Sequence, residues 1–211
     1  LGDTKVLAGV KIDLATPFPD RPNEGMLSVG CEFSPIAHPS FQAGPPGEAS
    51  IELARVIDRG IRAANAIDLT KLKVAEGKVL GVFIDLYILD HNGNLTDAAA
   101  MAAMSAVKNA VVPKVMQDGE TYKLNREERK DKLPLGEDVV TCTFEKIGES
   151  IILDANIDEE NASSGRLTFG ATTKGLVCSA QKSGSAGFTI EQFDELLDLT
   201  LEKRKELLKL L

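Results

Sequence analysis

An α+β chain with two similar halves is predicted by three features of the sequence: strand-like and helix-like segments alternate, turn residues punctuate them, and the last helix carries its own start signal. Residues 5–14 and 26–34 read as short apolar-rich strands, separated by the Pro-rich loop TPFPDRPNEG. Gly-Pro-Pro-Gly at 44–47 introduces a helix over about 49–66, where Ile51, Ala54, Ile57 and Ile61 recur on one face at helical spacing. Residues 79–89, VLGVFIDLYIL, form a long strand that ends in the turn DHNG.

The next helix spans about 96–110. Its AAAMAAMSA content lets another element approach closely, Asp97 suits the positive N-terminus, and Pro113 ends the element. Residues 115–124 and 139–144 read as strands around the charged run NREERKDK, taken as a solvated connection. Residues 151–153, 166–171 and 176–180 continue a second sheet, with turns at Ser164-Gly165 and Lys174-Gly175. Thr189 and Gln192 then form a capping box, with Phe188 and Phe193 at hydrophobic-staple spacing. From Phe193 and Leu196 to Leu207 and Leu211 an apolar stripe is expected to pack on that sheet.

Composition narrows the class. With 211 residues, 43% hydrophobic content and no Trp, the chain can build one sizeable core or two small lobes. No stretch of about 18 apolar residues and no signal-peptide pattern is present, so a cytoplasmic location without membrane contact is expected. The chain opens on Leu1 in what reads as a strand, so an additional N-terminal segment is expected. Cys31, Cys142 and Cys178 are odd in number and each sits in a strand-like run, which suggests buried thiols in a reducing compartment. His38 and His91 lie in loop contexts without partners at metal-ligand spacing, so no metal site and no cofactor are expected. A net charge of -8 argues against a protein that binds nucleic acid alone; contact with RNA calls for a local patch or a more basic partner.

Two segments hold candidate functional residues. In IILDANIDEENASSGRLT (151–168), Asp154, Asp158, Glu159 and Glu160 follow an apolar strand and Arg166 opens the next one. Carboxylates at a strand end can hold Mg²⁺ against phosphate oxygens, but Arg166 places a fixed cation where a second acid would be useful; a solvated acidic turn is the alternative. On the first helix, Arg55, Arg59 and Arg62 emerge on one face at i, i+4 and i+7, a spacing suited to successive phosphates of a single strand. Glu52 and Asp58 could instead neutralise them locally.

Four segments in order carry a resemblance: LGDTKVLAGV, GPPGEASIELARVIDRGIRAANAIDLTKL, DLYILDHNGNLTDAAAMAAMSAVKNAVVP and 151–168. Together they resemble the RNase PH family, over essentially all of the chain. The resemblance implies a β-α-β-α unit that assembles into a six-membered ring, with a first half at 1–135 and a second at 136–211. Active members carry a second Asp six residues after the first metal-site acid, where this sequence has Glu160 and Arg166. They also carry a Gly-Gly-Thr-Arg run for phosphate, matched here by Gly93-Asn94-Leu95-Thr96, so the phosphate-binding Arg has become Thr96. With both positions degenerate, the resemblance implies a non-catalytic ring subunit of an archaeal RNA-degrading exosome. Its implied partners are a catalytic RNase PH-like paralogue, in a trimer of heterodimers, cap subunits with RNA-binding domains, and single-stranded RNA contacted by Arg55, Arg59 and Arg62. Two other readings are a self-sufficient phosphorolytic exoribonuclease using Glu160 with Asp154 or Asp158, and an interaction protein that never touches RNA.

Overall fold

A computed structural model describes residues 1–119 and 121–211, with the backbone alone at 129 and 130. The first sheet is organised by the longest strand of the first half. β1 (Lys5–Ala15) and β2 (Met26–Phe33) flank β4 (Lys78–Asp90) in the order β1-β4-β2, and the short β3 (Lys73–Ala75) also pairs with β4. β4 runs antiparallel to β1 and parallel to β2. Parallel pairing requires a long crossover, and α1 (Glu48–Ala63) lies within it. Along β4 the inward residues Val82, Ile84, Leu86 and Ile88 are buried, while Asp85, Tyr87 and Leu89 face outward, as a period of two demands.

α1 and α2 (Leu95–Asn109) cover the inner face of this sheet. The buried stripe of α1 is Ser50, Leu53, Ala54, Ile57, Gly60 and Ile61; Ile51, expected inside, turns out to solvent and is 48% exposed. Leu53 takes the inner position that the sequence reading gave to Ile51. α2 contacts both β1 and β7 (Val139–Ile147). Ala98, Ala99, Ala100, Ala103, Met104 and Val107 are all buried, and the small side chains allow layers on two sides to close on one helix.

The second sheet is antiparallel in the order β10-β9-β7-β8, from β8 (Ser150–Leu153), β9 (Gly165–Thr172) and β10 (Val177–Gly184). β7 and β9 lie between α2 and α4 (Ile190–Leu207) and are buried on both faces. On the α4 side Cys142, Phe144, Leu167, Phe169 and Leu196 form a second apolar cluster. The capping box of α4 is present: Thr189 Oγ1 accepts from Gln192 N at 3.2 Å, and Gln192 Oε1 accepts from Thr189 N at 3.1 Å. Phe193 meets Phe169 edge-on, with centroids 4.9 Å apart, and Phe188 lies beneath the Lys146 ammonium.

Two segments differ from the sequence reading. Residues 111–132 form a hairpin of β5 (Val111–Asp118) and β6 (Thr121–Lys132), so a strand expected at 115–124 crosses its turn and the expected solvated connection at 125–132 is strand. Val112, Val115 and Leu124 pack against the first core, while the rest of the ribbon is largely charged and its charges pair across or off it, as Lys114 with Glu128 at 2.7 Å and Arg126 with Asp13 at 3.1 Å. Alternation of apolar and polar residues, the usual strand signal, is therefore missing. Pro113 sits in β5, four residues beyond the last residue of α2. The acidic segment holds a short helix, α3 (Ile157–Ala162), started by a capping box of Asn156 and Glu159. No helix among the described residues is long and apolar enough to cross a membrane.

The two halves meet through a polar layer centred on Asp97, which is 3% exposed. Its Oδ1 accepts from Thr141 Oγ1 at 2.7 Å and Thr143 Oγ1 at 2.8 Å; its Oδ2 accepts from Thr143 N at 2.9 Å and Asn94 Nδ2 at 3.0 Å. Burial pushes this carboxyl above the usual range, against the pull of those hydrogen bonds. Asp97→Ala leaves several buried donors without an acceptor, each costing about 1–3 kcal/mol, and is expected to destabilise the chain by about 3 kcal/mol in urea unfolding. A loss below about 1 kcal/mol would show that these donors find other acceptors.

Candidate functional site

Gly93 and Asn94 make the turn that positions the site. Gly93 has φ 93°, and a side-chain carbon there would lie 2.3 Å from Ala155 O, so only glycine lets the 91–94 turn lie against the entry to α3. Asn94 follows in the left-handed region at φ 46°, ψ 45° and caps α2 by accepting from Asp97 N at 3.4 Å. Its side-chain amide also donates to Asp154 Oδ1 at 2.6 Å. Asp154 is itself left-handed, at φ 61°.

The positions singled out in the sequence converge here. Asn94 N donates to Glu160 Oε1 at 2.9 Å, and Arg166 Nη2 stands 3.2 Å from the same oxygen. Arg166 Nε donates to Glu145 Oε1 on the adjacent strand β7, where Glu145 and Arg166 are cross-strand partners. One guanidinium thus bridges two carboxylates. Burial disfavours its charge, but Glu145, Glu160 and Glu52 outweigh burial and hold the Arg166 pKa above its ordinary value. Burial raises the Glu160 pKa; Arg166 and the Asn94 amide pull it down, and Glu145 adds to the rise.

A cavity of about 210 Å³ opens over this triad, bordered by Phe33, Phe41, Glu52, His91, Leu95 and Thr96, with Glu160, Arg166 and Thr168 at its floor. Leu95 and Thr96 line it, and the Thr96 hydroxyl makes no hydrogen bond among the described residues. The His91 ring stacks on Phe41 at 5.3 Å, and His38 meets both rings edge-on. Burial, with His38 and Arg166 nearby, lowers the His91 pKa. Among the described residues no group of three or more His, Cys, Asp or Glu is arranged to hold a metal ion. Cys31 and Cys142 are buried free thiols, pushed up to about 12 by burial, and Cys178 is a half-buried free thiol.

Sequence reasoning missed Glu145 and the acceptor role of Asp97. Glu145 lies in an apolar strand, six residues before Ile151, and only the register of β7 on β9 brings it to Arg166. Asp154 is bound to Asn94, and Asp158 lies in the first turn of α3, where it belongs to no group of three or more metal-holding side chains among the described residues.

The arginines of α1 divide into three situations. Arg55 is exposed and makes no hydrogen bond or ion pair among the described residues. Arg59 is exposed and donates to Gln181 Oε1 on β10. Arg62 is bound at both ends, with Nε to Asp58 Oδ2 at 2.7 Å and Nη2 to Leu27 O at 2.6 Å. The local pairing considered for Asp58 therefore forms, whereas Glu52 faces the cavity instead of Arg55.

Residues 1–113 match the 3′ exoribonuclease family, domain 1, and residues 139–203 match its domain 2. The chain is 43% identical to the exosome complex component Rrp42 of Thermococcus gammatolerans, over 100% of this chain and 78% of that protein. Its identity to the Rrp42 component of Pyrococcus furiosus is 42%, over 100% of this chain and 76% of that protein. Among solved structures it superposes on a chain of the Archaeoglobus fulgidus exosome with RNA bound to the active site at TM-score 0.89 and 39% identity, covering 99% of this chain and 80% of that one. A chain of an archaeal exosome core superposes at TM-score 0.84 and 38% identity, covering 99% and 78%.

Arg166→Ala removes the cation shared by Glu145 and Glu160. Breaking a buried pair costs about 3–5 kcal/mol, and with Arg166 partly exposed a loss of about 2–3 kcal/mol is expected. Without Arg166 the Glu160 pKa rises further above its unfolded value, so the protonated form is favoured in the fold. The stability difference from wild type should shrink as pH falls from 8 to 5, and a pH-independent difference in chemical denaturation would contradict this.

Proposed function

This chain belongs to the 3′ exoribonuclease (RNase PH) family, and on that premise we propose that it is a non-catalytic ring subunit of an archaeal RNA-degrading exosome. The observation that carries this reading is the self-filled site. At the position where active relatives hold a divalent cation, Arg166 supplies a fixed positive charge to Glu160 and Glu145. At the turn where they bind phosphate, the Asn94 amide is taken by the Glu160 carboxylate and Thr96 stands in place of the arginine. Metal and phosphate would both have to displace groups of the protein itself.

The chain would then act on RNA through its assembly. A catalytic RNase PH-like paralogue would alternate with it as a trimer of heterodimers, and cap subunits with RNA-binding domains would complete the particle. The paralogue would perform phosphate-dependent 3′ to 5′ cleavage, with Mg²⁺ stabilising the charge in transfer. This subunit would orient the paralogue's site and help line the RNA path, within the cytoplasm. Residues 1–135 and 136–211 would be its two RNase PH-like halves. Of the α1 arginines, Arg55 and Arg59 would hold RNA, because their charge faces solvent and is not neutralised by a carboxylate among the described residues. Arg62 would contribute to the positive potential of this face while anchored to Asp58 and Leu27.

The deciding experiment is phosphate-dependent degradation of a single-stranded RNA by this chain alone, by the paralogue alone and by the mixture. Activity confined to the mixture, or strongly enhanced there, is expected. Activity of the isolated chain that is lost in Glu160→Gln would replace this reading with that of a self-sufficient enzyme. In the assembled ring, Arg55→Glu with Arg59→Glu should weaken RNA binding at least tenfold at moderate salt while leaving assembly intact. Unchanged affinity and turnover in a correctly assembled ring would assign both arginines to structure alone.

A further inference from the structure

The edges of the sheets are not equally protected. β1 carries Lys5 and Lys11 and an irregular register at Lys5/Val6, β8 has 4 residues, and β10 carries Lys182 and a register shift at Val177/Ser179. β5 contains Pro113 and two register shifts, and β6 is densely charged. Lysine, proline, bulges and shortness are the devices that keep a sheet edge from pairing with another chain. β2 has none of them: its 8 residues, MLSVGCEF, pair with β4 alone in unbroken register, and Glu32 is its single charge.

Beside this open edge runs a groove of about 940 Å³, walled on its far side by residues 40–47. Glu32, Glu48 and Asp85 line it, no Lys, Arg or His does, and none of the three carboxylates is ion-paired among the described residues. Gly30 is the β4-facing neighbour of Asp85, and with no side chain at Gly30 the Asp85 carboxylate is reachable from the edge; an added carbon there would lie 3.3 Å from Asp85 Oδ1. Tyr87, the cross-strand partner of Glu32, is 42% exposed and offers a ring face to a cation.

We infer that the open edge of β2 is a strand-addition site for a basic extended segment of the neighbouring ring subunit. Main-chain hydrogen bonds to β2 supply register, and two basic side chains at alternate positions of the incoming strand fall on Glu32 and, over Gly30, on Asp85. The uncompensated carboxylates repel phosphates, so RNA is the wrong occupant for this groove. The net charge of -8 fits a chain that meets a more basic partner on such a surface. This inference rests on the ring-subunit reading and names the contact that the ring would use.

The test combines amide hydrogen exchange and charge reversal, with the purified RNase PH-like partner as the probe. Adding the partner to the full chain should slow exchange at residues 28–33 at least tenfold. Glu32→Lys with Asp85→Lys, both at exposed positions and checked by circular dichroism for an unchanged fold, should weaken association at least tenfold. Association that leaves residues 28–33 unprotected and ignores the reversal would overturn the strand-addition site while the ring-subunit reading stands. No association of the wild-type chain with the partner would overturn both, and protection of residues 28–33 by single-stranded RNA alone would overturn the choice of a protein segment.

Discussion

The buried carboxylate of Asp97 is the interaction on which the arrangement of the two halves depends. It stands in the first turn of α2, yet its acceptors face β7, so a helix from the first half is bonded directly to a strand of the second. A carboxylate in this position must be fully hydrogen-bonded, because a buried charge without partners is expensive. Thr141 and Thr143 meet that demand from one face of β7, and Thr143 passes the network on to Thr168 on β9, hydroxyl to hydroxyl at 3.0 Å. On the opposite face the same strands present Cys142, Phe144, Leu167 and Phe169 to α4. Alternation along β7 and β9 thus sorts a polar seam toward α2 and an apolar core toward the last helix.

The candidate site grows out of that seam. Asn94 serves Asp97 with its side chain, Asp154 with the same amide group and Glu160 with its backbone N–H. Glu160 is held in turn by Arg166, and Arg166 by Glu145. Each member satisfies the next, which leaves little capacity for an external cation or anion. A cation of fixed geometry in this setting does structurally what a bound metal would do: it permits two acids to approach inside a partly buried cleft. It cannot exchange water or polarise a phosphoryl group as a metal does, and this difference underlies the assignment of the chain to a supporting role.

Much of this was legible in the sequence because it followed local rules. The α4 start was written in Thr189, Gln192 and Phe193, and the long strand in the apolar run of 79–89. What escaped depended on distant pairing. Glu145 becomes a partner of Arg166 only through the register of β7 on β9, and periodicity within one segment cannot report a register. The β5–β6 ribbon escaped because, of its described residues, only Val112, Val115 and Leu124 reach the core, so its strands lack the alternation by which strands are recognised. α3 escaped for the opposite reason: its capping box was present, but six residues with no buried side chain give no helical stripe to detect.

On the proposed reading, charge distribution reconciles an acidic chain with contact to RNA. At physiological ionic strength exposed charges are screened beyond about 8 Å, so a strand of RNA responds to the local patch and not to the net charge. Within α1 the cationic positions are spent unevenly: Arg62 is tied to Asp58 and to a backbone carbonyl, Arg59 leans on an uncharged amide, and Arg55 is free of partners among the described residues. Glu32 and Asp85, which form no ion pair among the described residues, are exposed on β2 and β4 and line a groove that reaches the first turn of α1 at Glu48. On the proposed reading, the solvent-facing guanidinium groups of α1 would meet phosphate while the carboxylates of the sheet would meet a basic protein. RNA contact on this reading would depend on the local field at Arg55 and Arg59, toward the middle of α1, and not on the acidic excess of the whole chain.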